Sequence, residues 1–140
     1  MKIAIGSDHA GFDLKSKVIE ILEQNDYEIK DCGTFNNESC DYPDYGHAVA
    51  KTIKKGDAKK GIVICGSGNG INMAVNKHDH IRGALCWKPE LAALAVQHNK
   101  ANVLALPARF IDEETAVACV NEFLSNTFEG GRHERRVNKI

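Results

Sequence analysis

Five short apolar runs rich in β-branched residues alternate along the chain with longer stretches whose apolar residues recur at helical spacing. The runs are Ile3 to Ile5, Tyr27 to Cys32, Gly61 to Cys65, Ile81 to Cys86 and Asn102 to Leu106. Between them, Leu14, Val18, Ile21 and Leu22 form one stripe, and Val117, Val120 and Leu124 form another after the last run. Further helices are expected from Tyr45 to Lys55, from Asn69 to Lys77, and from Pro89 to His98 with proline in the first turn. Asp112, followed by Glu113 and Glu114, is a suitable start for the last helix, because carboxylates favour the positive end of the helix dipole. Strands separated by helices need crossovers, and crossovers make strands parallel. The pattern therefore predicts an α/β fold: a single doubly wound domain over residues 1–140, with a five-stranded parallel sheet and helices on both faces.

Two segments lie outside this alternation. Residues 33–44 read as a long polar loop ending in Asp41, Tyr42 and Pro43. Residues 129–140 open with Gly130 and Gly131 and carry Arg132, His133, Arg135, Arg136 and Lys139, which reads as a basic C-terminal arm leaving the domain.

Composition narrows the function. A length of 140 residues suffices for one hydrophobic core, and no apolar run approaches the roughly 18 residues of a membrane span. The N-terminus lacks the long apolar stretch of a secretory signal, so the expected location is the cytoplasm, with no membrane partner. A net charge of −1 argues against a broad basic field for nucleic acid, while leaving room for a small anion held by local arginines. Cys32, Cys40, Cys65, Cys86 and Cys119 are odd in number and contain no C-x-x-C pair, which disfavours a disulfide framework, a zinc knuckle and a dithiol redox motif.

Ligands of open parallel sheets sit beyond the carboxyl ends of the strands, so the turns after the first and third strands are the first places to look. The third strand ends in Cys65-Gly66-Ser67-Gly68-Asn69-Gly70 and runs into a helix. Glycines let backbone approach a ligand, and free N–H groups at a helix start suit an anion or a developing oxyanion. A Walker loop would require Gly-Lys-Ser/Thr where Gly70-Ile71-Asn72 stands, and the dinucleotide fingerprint lacks its third glycine. A thiol phosphatase would carry an arginine on the loop, and none lies between Cys65 and Arg82. What remains is a thiol where a helix N-terminus favours the thiolate, suited to a general base; the alternative is a small buried structural cysteine.

Asp8 and His9, after the first strand, face the same edge and can serve as acid and imidazole; alternatively Asp8 caps the first helix and His9 is solvated. His98 and Asn99 taken alone resemble ordinary helix punctuation. His78-Asp79-His80 lacks a third metal ligand at helix or strand spacing and reads as a solvated turn, so no metal is expected. Arg132 and Arg136, four apart on one side of a helical turn, suit a bidentate grip on phosphate, and equally describe a solvated basic tail.

Taken together, Gly6-Ser7-Asp8-His9-Ala10-Gly11, Asp41-Tyr42-Pro43, Cys65 to Gly70, His98-Asn99 with Asn102 to Leu106, and Glu129-Gly130-Gly131-Arg132-His133 resemble the type B ribose-5-phosphate isomerases over essentially the whole chain. That resemblance implies interconversion of ribose 5-phosphate and ribulose 5-phosphate without metal or organic cofactor, in a homodimer or dimer of dimers with active sites shared between subunits. It implies Cys65 as the base that moves a proton between C2 and C1, and Gly66, Ser67, Gly68, Asn69 and Gly70 as the loop that stabilises the enediolate. It further implies His98 as the acid that opens the sugar ring, Asp8 and Tyr42 as sugar contacts, and His9, Asn99, Arg109, Arg132 and Arg136 as the phosphate and sugar set. One branch of the family carries a glutamate base just after the loop; Ile71 stands there, which implies the cysteine branch. The rival readings are isomerisation of a six-carbon phosphosugar, such as allose 6-phosphate or galactose 6-phosphate, and a phosphosugar-binding module without turnover.

Overall fold

The computed structural model describes residues 1–140. Its elements run β1 (Lys2–Ser7), a 3₁₀ turn (His9–Gly11), α1 (Phe12–Gln24), β2 (Glu28–Asp31), α2 (Tyr42–Lys54), β3 (Lys60–Cys65) and α3 (Asn69–Val75). They continue with β4 (Gly83–Leu85), α4 (Pro89–Asn99), β5 (Val103–Pro107), α5 (Glu113–Ser125) and α6 (Arg132–Val137). All strand pairs are parallel, in the order β2-β1-β3-β5-β4. Hydrophobicity sorts centre from edge: β1, β3 and β5 are apolar on both faces and take the centre, whereas β2 alternates exposed and half-buried positions and lies at an edge.

Side chains of successive strand residues point to opposite faces, which divides the core in two. Ile3, Ile5, Ile62, Ile64, Leu104 and Leu106 pack under α1, α4 and α5, meeting Val18, Leu22, Val96 and Phe123. Ala4, Val63 and Ala105 pack under α2 and α3, meeting Val49, Ala50, Ile71 and Val75. The smaller strand residues of this second face let α2 and α3 lie close to the sheet.

An ion pair anchors one loop of the site. Lys15 of α1 is buried, pairs with Asp31 at the end of β2, and lies over the rings of Phe12 and Phe35. Asp31 also accepts the Gly33 N–H at 2.9 Å, and Gly33 and Thr34 then exchange backbone hydrogen bonds with Ser7 at 2.7 and 2.8 Å. The segment after β2 is thereby fixed to the end of β1.

Three local expectations are corrected. Tyr42 does not close a loop but opens α2, three residues before the expected start, with Pro43 in the first turn, where no backbone N–H donor is required. The turn at His78 to His80 is not simply solvated: His47 Nδ1 lies 2.8 Å from His78 Nε2, and His80 Nε2 lies 2.8 Å from the Ala50 carbonyl. The basic segment does not project from the body either. Gly130 and Gly131, with φ of +70° and +56°, turn the chain back so that α6 rests on α4 with His133 and Val137 buried.

Candidate active site

The strand order reverses its direction of growth between β1 and β3, which opens a crevice beyond their carboxyl ends. Ser7 pairs with Ile64 in the β1–β3 register, so the next position sets Asp8 beside Cys65, on strands roughly 4.8 Å apart. By alternation both continue the face of Ala4 and Val63, toward α2 and α3. The Asp8 N–H donates to the Ile64 carbonyl at 3.3 Å, and its carboxylate accepts the Gly11 N–H at 3.1 Å. Asp8 therefore caps the turn that opens α1 and also borders the thiol. Cys65 is 4% exposed.

The glycine loop is enclosed by side chains from distant parts of the chain. A Cβ on Gly70 would fall 2.5 Å from Tyr42 Cζ, and one on Gly66 would fall 3.1 Å from an Arg109 guanidinium nitrogen; glycine is what admits both. Gly68 has φ of +71°, a conformation L side chains rarely take, and leads directly into α3. The Ala108 and Arg109 N–H groups donate to the Cys65 and Gly66 carbonyls at 2.9 and 3.0 Å, which joins the loops after β3 and β5. Ser67 and Asn69 are exposed at the crest, with the Ser67 hydroxyl accepting the Asn69 N–H at 3.3 Å. Ser67 borders a hollow of about 250 Å³ walled by Leu85, Trp87, Pro107 and Phe110. His9 Nδ1 accepts the Cys40 N–H at 3.2 Å, which turns the ring toward the loop after β2. Such an arrangement offers a thiol, a carboxylate, an imidazole, a guanidinium and a phenol around backbone that can approach an oxyanion.

Burial shifts three of the other cysteines, Cys86 and Cys119 in the core and the half-buried Cys32. Burial pushes the Cys86 thiol up to about 12 and the Cys119 thiol up to about 11, and burial also raises Cys32. They stay protonated at neutral pH and pack as apolar groups. Ile71 is fully buried beneath Gly46, so the position after the loop belongs to the core.

The remaining candidates lie at the opposite edge of the sheet. His98 and Asn99 end α4, just before β5, while Cys65 pairs with Pro107 at the far end of that strand. Five residues at roughly 3.3 Å each put about 16 Å between them. Arg132 and Arg136 are exposed on α6, on the His98 side. Asn99 lies in a cavity of about 600 Å³ with Arg82 and His78, and the Arg82 Nε–H donates to the Asn99 carbonyl at 2.7 Å. One chain thus gathers Asp8, His9, Tyr42, Arg109 and the Cys65 loop at one edge, and His98, Asn99, Arg132 and Arg136 at the other.

Glu129 and His133 belong to a sequence motif, but sequence reasoning gave neither a role in the site. His133 stacks on His98, with ring centroids 4.0 Å apart and planes 11° from parallel, and Glu129 lies against both. The local signal was present in the Gly130-Gly131 pair, since two left-handed glycines in succession reverse a chain.

Comparison with known proteins shows the family and the fold. Residues 3–140 match the model of the ribose/galactose isomerase family. Ribose-5-phosphate isomerase B of Escherichia coli is 43% identical over 139 residues, covering 99% of this chain and 93% of that protein. A solved structure of the Clostridium thermocellum ribose-5-phosphate isomerase B superposes with a TM-score of 0.98 at 47% identity, covering 99% of this chain and 94% of that one. The Mycoplasma genitalium enzyme, solved with bound ribulose 5-phosphate, superposes with a TM-score of 0.93 at 41% identity, covering 99% and 92%.

Proposed function

Since this chain belongs to the ribose/galactose isomerase family, we propose that it interconverts ribose 5-phosphate and ribulose 5-phosphate, with Cys65 as the proton-transferring base. The observation that carries this reading is the strand register that sets Asp8 beside Cys65 at the switch point, under a glycine loop. The Mycoplasma genitalium enzyme with ribulose 5-phosphate bound supports the five-carbon substrate.

The furanose form opens first. His98 gives a proton to the ring oxygen as the bond from C1 to that oxygen breaks, and the C1 hydroxyl gives its proton to the Asp8 carboxylate. The Cys65 thiolate then takes the proton from C2, leaving an enediolate. Backbone N–H groups of Gly66 to Gly70, assisted by the Ser67 hydroxyl, stabilise its oxygens in a nearly dry crevice, where such dipoles count most. The thiol returns the proton to C1 while the O2 proton passes to O1, which yields the ketose. Tyr42 contacts the sugar. His9, Asn99, Arg109, Arg132 and Arg136 hold the phosphate and neighbouring hydroxyls, so that binding remote from C1 and C2 keeps the reacting carbons in place. No step calls for a metal or organic cofactor.

Because Cys65 and His98 occupy opposite edges, each complete site takes His98, Asn99, Arg132 and Arg136 from a second copy, in a homodimer or a pair of such dimers. Exposed Phe35, Tyr42, Trp87 and Phe110 belong to the loops and helix start at the carboxyl edge, and their apolar surface supports cover by another chain. The absence of any helix long and apolar enough to cross a membrane accords with a cytoplasmic site of action. The discriminating experiment is turnover of ribose 5-phosphate, allose 6-phosphate and galactose 6-phosphate compared by kcat/KM. Ribose 5-phosphate is expected to lead, and preference for either hexose phosphate would overturn the substrate assignment.

A further inference from the structure

The segment between α5 and α6 is held against the end of α4 by more than contact. The Gln97 side chain pairs with Asn126, and the Glu129 N–H donates to the Gln97 carbonyl at 3.0 Å, one residue before His98. Glu129 is thereby fixed with its carboxylate 3.7 Å from His98 Nε2 and 3.7 Å from His133 Nε2. Gly130 and Gly131 then reverse the chain, the His133 N–H donates to the Gly130 carbonyl at 3.1 Å, and the His133 ring is delivered flat onto His98.

Two imidazoles and a carboxylate this close could in principle hold a divalent metal. The geometry opposes it. Rings within 11° of parallel, with centroids 4.0 Å apart, keep their lone pairs in separate parallel planes that do not meet at a common ion, and Arg132 and Arg136 add positive charge beside them. The same features suit a different task. Stacked imidazoles repel if both are charged, and burial, His98 and the two arginines hold His133 below the usual histidine range, only partly offset by Glu129. His133 is then a neutral, buried platform at 8% exposure, and the one carboxylate is left to its partner. At 3.7 Å the contact is one of charge rather than a directed hydrogen bond, so Nε2 of His98 stays free to meet a sugar.

We propose that Glu129 is a positioning residue for ring opening: with His133 as the flat support, its carboxylate holds the His98 ring in the orientation from which it gives its proton. This rests on the assignment of His98 as the ring-opening acid. The proton goes from His98 to the ring oxygen as the C1–O bond breaks, as set out above, and Glu129 neither gives nor takes it.

The test separates ring opening from proton transfer at carbon. Ribulose 5-phosphate cannot close a furanose ring, because its C5 oxygen carries the phosphate, so exchange of its C1 hydrogen in deuterated water needs the thiol but not the ring-opening step. Glu129→Gln is expected to lower kcat/KM for ribose 5-phosphate by about tenfold, part of the hundredfold or more that a general acid supplies, while C1 exchange from ribulose 5-phosphate stays within about twofold of wild type. Glu129→Asp is expected to restore part of the loss. His98→Asn, measured in parallel, should show the same selective defect in stronger form. A selective defect in His98→Asn but none in Glu129→Gln would overturn the inference alone. Equal loss of both activities in Glu129→Gln, with no recovery in Glu129→Asp, would also overturn it, by showing a merely structural contact. If neither variant separates the two activities, the assignment of His98 and the role of Glu129 fall together.

Discussion

A thiol that is 4% exposed can serve as a base only toward a substrate that enters the crevice and excludes water from it. The glycine loop and the start of α3 follow Cys65 directly in the chain, so backbone N–H groups stand near the same crevice. Cys65→Ala removes the proposed base without leaving a large void, so the fold and the affinity for ribulose 5-phosphate should persist. Its kcat is expected to fall by at least about a hundredfold, measured by a continuous isomerase assay beside calorimetric binding. Near-normal turnover in Cys65→Ala, together with loss in Asp8→Asn, would reassign the base to the carboxylate. The sequence made this residue legible because a strand end and a glycine loop are local features. It could not show Tyr42 on Gly70 or Arg109 on Gly66, since each contact joins residues more than twenty positions apart, and only the folded register reveals that those glycines are needed for clearance.

At the scale of elements, α5 and α6 illustrate two uses of charge. Asp112 caps α5, its carboxylate accepting the Thr115 N–H at 2.7 Å, and the hydrogen bonds from Thr115 hold its carboxyl below the usual carboxylate range. A carboxyl that binds its proton less readily when folded stabilises the fold fully above the ordinary aspartate value, and loses that contribution as pH falls through the depressed folded value. Asp112→Ala should therefore lower the melting temperature at pH 7, with the gap to wild type narrowing below about pH 4 in thermal scans. On α6, Arg132 and Arg136 share one side and stay exposed, which suits an anion presented from outside the chain. Replacing either with Met is expected to raise KM for ribose 5-phosphate with kcat little changed, while any activity on free ribose stays unaltered. Helix cores were legible from spacing, and the Asp112 cap from its neighbours. The start of α2 was not, because Tyr42 and Pro43 look alike in a loop and in a helix's first turn. The fold of 129–140 was not, because its burial depends on α4, thirty residues earlier.

Seen as a whole, the sheet is a spacer. Its strands are about five residues long, and the groups assigned to one reaction stand at their two ends, about 16 Å apart. The alternation of strands and helices made the parallel sheet predictable and put Cys65 and His98 on opposite edges before any coordinates. It could not give the order β2-β1-β3-β5-β4, which depends on the crossovers and fixes the crevice between β1 and β3. Under two-fold symmetry, Cys65→Ala and His98→Asn homodimers should each be nearly inactive. After subunit exchange, half the dimers are mixed and carry one intact and one doubly damaged site, so activity should recover to about a quarter of wild type. Proven exchange without recovery would place both residues in the same chain's site, or leave His98 as a helix end. The length of β5 also carries a consequence for the enzyme in dilute solution. On the proposed sharing of sites between two copies, a lone chain owns two half-sites and no whole one, so dilution below the dissociation constant of the pair would silence every molecule while each remained folded. Catalytic capacity would then rise more steeply than in proportion to the number of chains, and a cell could regulate the reaction through synthesis alone.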